Sequence, residues 1–161
     1  MIRKCDANDT EKIYNIINEA AKAYDGVIAE DCYHQPYMPK EELEREMRRV
    51  HFYGWETDRE IVGVMGIEPV RDVTLIRHAY VLPSYQKKGI GKNLLEHLKK
   101  MTTTSWLLVG TWQDAEWAIR FYRNNGFEML SEKDKLLADY WDIPQRQIET
   151  SVVMGTKINN D

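Results

Sequence analysis

"HAYVLPSYQKKGIGKNLLEHL", residues 78–98, decides the fold. Its first five residues read as the end of a strand that Pro83 stops. From Ile90 onward, Ile90, Leu94, Leu95, Leu98 and Met101 recur at helical spacing, which predicts an amphipathic helix. Between strand and helix lie Gly89 and Gly91, ringed by Lys87, Lys88 and Lys92. A helix macrodipole already places about half a positive charge at its N-terminus, so lysines there should fray the helix. A bound anion reverses the sign of that effect. Glycines let the backbone approach a ligand, and successive N–H groups at a helix start converge on an anion. The stretch therefore reads as strand, turn and helix arranged around a phosphate group.

Two familiar phosphate motifs fail here. A P-loop needs a glycine where Gln86 stands and Ser or Thr where Asn93 stands. The dinucleotide fingerprint starts well at Gly89 and Gly91 but requires a third glycine at Leu94. What survives is Gln-x-x-Gly-x-Gly, Gln86 to Gly91, after a strand.

Outward from this stretch the chain reads as alternating elements. Residues 2–5 form a short strand, followed by a helix with Ile13, Ile16, Ile17, Ala20, Ala21 and Tyr24 at helical spacing and Asn8 with Glu11 as a capping pair. A loop rich in tyrosine covers 25–38. Pro39 opens a second helix with Leu43, Met47 and Val50 on one face. Residues 51–70 read as two strands joined at Thr57–Arg59, and 73–82 as another. "WLLVGTW", 106–112, is an apolar strand, and "DAEWAIRFYRNNGF" a helix ending at Gly126. A strand near 127–131, a polar segment and a last strand over 147–158 complete the order. This predicts an α+β fold: one domain over 1–161 with six to seven mostly antiparallel strands and about four flanking helices.

Composition removes several function classes. A net charge of -4 and a pI near 5.6 argue against nucleic-acid binding through a basic face. No apolar run approaches the ~20 residues of a membrane span, and "MIRKCDANDTEK" lacks the apolar stretch of a secretory signal. Cys5 and Cys32 have no metal-ligand spacing and read as reduced thiols of a cytoplasmic protein, with no metal expected.

"HAYVLPSYQKKGIGKNLL" together with "AIRFYRNNGF", 118–127, resembles the GNAT superfamily of N-acetyltransferases, whose signature is [Gln/Arg]-x-x-Gly-x-[Gly/Ala] after a strand. The resemblance implies acetyl-CoA as co-substrate and a primary amine as acceptor, of a small molecule or a peptide. By position it implies that Ala79, Tyr80 and Val81 pair with the pantetheine arm. Gln86, Lys87, Lys88, Gly89, Ile90, Gly91 and Lys92 then hold the pyrophosphate. Tyr122 falls where the family often keeps a tyrosine near the CoA sulfur, and the Val81 N–H is the candidate oxyanion donor. Direct attack also needs a base. The family often carries a glutamate on strand four or five, but the matching positions are Leu75 and Gly110. Glu68 and His78 are the substitutes, beside a water relay.

Acceptor residues are expected in the loop after the first helix and in the late polar segment. Tyr24, Glu30, Asp31, Tyr33, His34 and Tyr37 suit a cationic amine through carboxylates and aromatic faces, with Trp112 as core or cleft wall. Trp141 is read as a pocket or homodimer contact. Two alternatives stay open: a non-catalytic acyl-CoA-binding module, and a partner-binding protein that keeps the fold without the cofactor.

Overall fold

Seven β-strands and six α-helices appear in the computed structural model, which describes residues 1–158. The fold is α+β, with the strands in a mixed sheet. The expected domain limit of 161 and the end of the chain lie outside the described residues. The chain divides into two compact units.

The first unit comprises Met1–Ala23, Gln35–Glu68 and Ile76–Thr102. It holds β1 (Ile2–Lys4), α1 (Thr10–Ala20), α2 (Lys40–Glu46), β2 (His51–Thr57), most of β3 (Glu60–Val70), the end of β4 (Val73–Val81) and α3 (Ile90–Met101). β2 pairs antiparallel with β1, Ile2 opposite Trp55, and with β3, Phe52 opposite Gly66. The β2–β3 turn is tight because Asp58 and Arg59 both take positive φ, 50° and 66°, as two-residue hairpins require. Ile13, Ile16, Ile17 and Leu43 pack on Phe52, Ile61 and Val64 to make the core of this unit. Asn18 holds the end of the tyrosine-rich loop in place: its amide bonds the Met38 carbonyl and N–H at 3.1 and 2.8 Å.

The second unit comprises Tyr24–His34, Pro69–Leu75 and the chain from Thr103 on. Here β5 (Trp106–Trp112) pairs antiparallel with β7 (Ser151–Lys157) along its whole length, and β6 (Glu128–Met129) lies on the other side of β7. α4 (Glu116–Asn124), α5 (Lys133–Tyr140) and α6 (Gln145–Glu149) complete it. Val73, Leu75, Leu108, Leu137, Ile148 and Val153 form its core.

Several expectations need correction. α1 has no side-chain cap, neither Asn8 with Glu11 nor another pair. The capping box sits one turn earlier, on the 3-10 turn Ala7–Asp9 that leads into it, where Asp6 accepts from the Asn8 N–H and Asp9 from the Asp6 N–H, both at 2.8 Å. Two side chains thereby satisfy N–H groups of the entering turn. α2 stops at Glu46, four residues before the apolar spacing ends. Met101, read as part of the α3 stripe, is 45% exposed because it is the last helical residue. The segment read as polar carries α5 and α6, which anchor through Leu137 and Ile148 alone among their buried residues.

Candidate functional site

The turn before α3 is built from left-handed backbone. Lys87 has φ 64° and Gly89 φ 82°, and Gly89 is the N-cap of α3, with no side-chain cap. A Cβ at Gly89 would meet nothing closer than Asn93 Nδ2 at 4.0 Å, so space is open there. Left-handed residues at a helix entrance turn successive N–H groups toward one point, an anion-binding concavity. The Gln86 side chain ties this turn back to β4, donating to the Val81 carbonyl at 3.0 Å. Ile90 is buried beneath it: Gly63 on β3 is small enough that Ile90 Cγ2 and Val81 Cγ2 lie 3.0 and 3.2 Å from where its Cβ would be.

The charge follows the same design. No acidic residue occupies the first turn of α3, and Lys99 and Lys100 sit in its last turn. Lys87, Lys88 and Lys92 carry no carboxylate partner among the described residues. Lys88 instead rests 5.3 Å from the Tyr85 ring centroid. Three unneutralised cations around an uncapped helix start are what a polyphosphate would need.

Tyr122 sits at the end of α4 for a reason legible in "FYRNNGF". Gly126, at φ 91°, closes the helix; the Gly126 N–H bonds the Arg123 carbonyl and the Phe127 N–H bonds the Tyr122 carbonyl. That is a Schellman motif, and its customary apolar contact is the Tyr122–Phe127 ring pair at 5.3 Å. The residue is 6% exposed. Burial pushes its hydroxyl above the ordinary tyrosine range, with Tyr24 adding to the shift.

Glu68 does not stand free. Its oxygens accept from Arg77 Nη1 and Arg49 Nε, both at 2.9 Å. Two guanidiniums on one carboxylate make it an ion-pair member with both oxygens engaged. The other two positions are apolar: Leu75 is fully buried in the core of the second unit, and Gly110 lies beneath Leu137 and Trp141, each 3.4 Å from its would-be Cβ. Trp141 therefore packs within its own unit.

The acceptor candidates separate. Tyr24, Glu30, Asp31, Tyr33 and His34 belong to the second unit and Tyr37 to the first, where it packs on the apolar core. Tyr24 stacks on Trp117 at 5.9 Å and meets the edge of Trp112 at 6.5 Å. Trp112 is buried, whereas Trp117 is 43% exposed. Asp31 accepts from Arg146 at 2.8 and 3.3 Å, which ties the loop to α6. Sequence reading passed over Glu46. Its signal was its position, three after Leu43 and four before Val50, on the apolar face of α2.

Residues 48–129, just over half of the chain, match the model of an acetyltransferase (GNAT) domain. The chain belongs to the GNAT family of acetyltransferases. Its chemistry is accordingly acyl transfer with acetyl-CoA as co-substrate, and the α3 turn has the glycine, the open N–H groups and the lysines to receive a pyrophosphate. Solved GNAT folds align along almost the whole chain. The PaiA N-acetyltransferase of Thermoplasma acidophilum, in complex with coenzyme A, is 21% identical with a TM-score of 0.76 over 98% of both chains. A GNAT acetyltransferase of Staphylococcus aureus Mu50 is 20% identical, TM-score 0.75, over 99% of both. The ribosomal-protein-S18-alanine N-acetyltransferase of Escherichia coli is 18% identical, TM-score 0.65, over 100% of this chain and 95% of that one. These likenesses establish the fold.

Proposed function

We propose that this GNAT chain moves the acetyl group of acetyl-CoA to a primary amine of a small molecule or peptide by direct attack, as a single N-acetyltransferase domain over 1–161. The observation that carries the reading is the α3 entrance: left-handed Lys87 and Gly89, no side-chain cap, and three lysines without carboxylate partners among the described residues. Bound there, acetyl-CoA supplies an activated thioester carbonyl. Amides and side chains from Gln86 to Lys92, Ile90 and Gly91 included, hold the pyrophosphate. Ala79, Tyr80 and Val81, half-buried at the end of β4, pair with the pantetheine arm. The Val81 N–H donates to the oxygen as charge develops on it. Tyr122 gives its proton to the leaving thiolate.

Tyr24, Glu30, Tyr33, His34 and Trp112 are the acceptor-binding candidates, and the aromatic stack around Tyr24 favours a cationic acceptor. Glu68, engaged by two arginines, serves the site as a structural anion. No helix among the described residues is long and apolar enough to cross a membrane, and none of the described side chains forms a metal-binding group. With a net charge of -4, a cytoplasmic protein that uses neither nucleic acid nor membrane fits best; homodimerisation stays open.

A second reading, an acyl-CoA-binding module without turnover, is favoured by one observation: Leu75 and Gly110 occupy the positions where family members often keep a glutamate. Calorimetry with CoA and thiol release across a panel of amines separate the two. Binding with amine-dependent thiol release is the expected result. Binding without release from any amine would leave the module, and no binding would remove both.

A further inference from the structure

We propose that His78, held by Glu46, is the general base that takes the proton of the acceptor amine. The inference rests on the transferase reading above and deepens it. Three independent features converge on His78.

The first is the backbone. His78 has φ 53° inside β4. A non-glycine residue in that region of a strand is strained and persists where the surroundings enforce it. Such outliers gather at functional sites. This one falls immediately before Ala79, Tyr80 and Val81, the segment assigned to the pantetheine arm.

A second feature is the ring itself. His78 Nε2 and Glu46 Oε2 lie 2.8 Å apart, an ion-pair contact between side chains 13% and 4% exposed, and neither atom makes an aligned hydrogen bond to any described group. That approach is attractive only with a proton on Nε2. The neutral ring therefore carries its lone pair on Nδ1, which bonds to nothing among the described residues. Phe52 stacks on the imidazole, 5.9 Å between centroids and 17° between planes, and fixes its orientation.

Third comes the charge around the pair. Glu46 Oε1 accepts from Arg77 at 2.6 Å and from Arg49 at 3.4 Å, and the same two arginines bind Glu68. α2 thus contributes Glu46, the residues after it Arg49, β3 Glu68 and β4 Arg77, and β2 contributes the Phe52 ring. Two carboxylates balance two guanidiniums. Burial pulls the Glu46 carboxyl up, but His78, Arg77 and Arg49 together hold it below the ordinary glutamate range. An ionised Glu46 fixes the tautomer and stabilises the imidazolium that forms, while Glu68 is spent on the arginines.

The step balances simply. Nδ1 takes one proton from the ammonium acceptor and later releases it to water. The freed amine forms the C–N bond as the C–S bond breaks, the thiolate takes the Tyr122 proton, and the second amine proton restores Tyr122 through solvent.

Two measurements test this. In the wild-type protein without ligand, 15N–1H long-range correlation of the imidazole should show the Nε2–H tautomer for His78. In turnover, His78→Gln keeps an N–H toward Glu46 but has no base; kcat/KM should fall about 100-fold or more, with loss of the acidic limb of its pH profile. CoA affinity should stay within about twofold. Glu46→Gln, with His78 intact, should lose an intermediate amount and show a mixture of tautomers. An Nδ1–H tautomer in the wild type, or a His78→Gln enzyme within about threefold of wild type with an unmoved pH profile, overturns the proposal. Failure of the transferase reading looks different: the wild type itself binds no CoA or acetylates no amine.

Discussion

The ring and the hydroxyl of Tyr122 can be tested apart. The ring is the apolar contact of the Schellman motif with Phe127, and "FYRNNGF" would place a large residue there in any protein. Tyr122→Phe keeps that contact, so thermal stability and CoA affinity should hold, while turnover drops about 100-fold if the hydroxyl protonates the thiolate. Turnover within about twofold would assign the residue to the helix end alone. Glu46 makes a different prediction, in stability. Its folded carboxyl titrates below the usual 4.5, so the unfolded chain binds the proton first as pH falls. The contribution is therefore fully present above the ordinary glutamate range and is lost as pH drops through the folded value. Melting temperature followed from pH 7 to pH 3 should fall more steeply for wild type than for Glu46→Gln. Parallel curves would deny Glu46 that role. Removing the carboxylate altogether, in Glu46→Ala, leaves Arg77 short of a buried partner and should cost about 3–5 kcal/mol.

At the scale of elements, β3 sets how closely α3 can approach. Gly63 leaves room for Ile90 and Val81 at 3.0 and 3.2 Å, one the first residue of α3 and the other the end of β4. Gly63→Val overfills that gap, at about 1–3 kcal/mol for an overpacked core. Because Ile90 and Val81 are the residues that must give, CoA affinity should fall as well, although no phosphate contact is touched. A destabilised variant with wild-type CoA affinity would show that the α3 entrance is set from elsewhere. α3 and α4 were legible because each has a full apolar stripe or a glycine stop. α5 and α6 were not. Each buries a single residue, Leu137 and Ile148, so neither shows a periodic face, and their stability comes from docking onto the core of the second unit.

For the whole molecule, net charge and local charge oppose one another. A chain of net charge -4 repels a polyanion at long range, and only the lysine cluster at the α3 entrance reverses the sign nearby. CoA affinity should therefore weaken as salt rises, and Lys92→Ala should lose more affinity for CoA than for dephosphorylated pantetheine. Equal losses for both ligands would place Lys92 away from the phosphates. The sequence by itself determined the strand, turn and helix of residues 78–98, the α+β order and the family, because local chemistry suffices there. Period, proline stops, glycine positions and a dense cation cluster all act within a few residues of one another. It also showed that Leu75 and Gly110 leave the usual base positions empty. Only the tertiary structure brought together the pair proposed in their place. Glu46 and His78 are far apart along the chain, and nothing in the sequence pairs them. Their pairing comes from burial, which strips away water and sets His78 Nε2 2.8 Å from Glu46 Oε2. Glu68 looked free in sequence and is held by Arg49 and Arg77 for the same reason: long-range packing chooses ionic partners, and spacing along the chain does not.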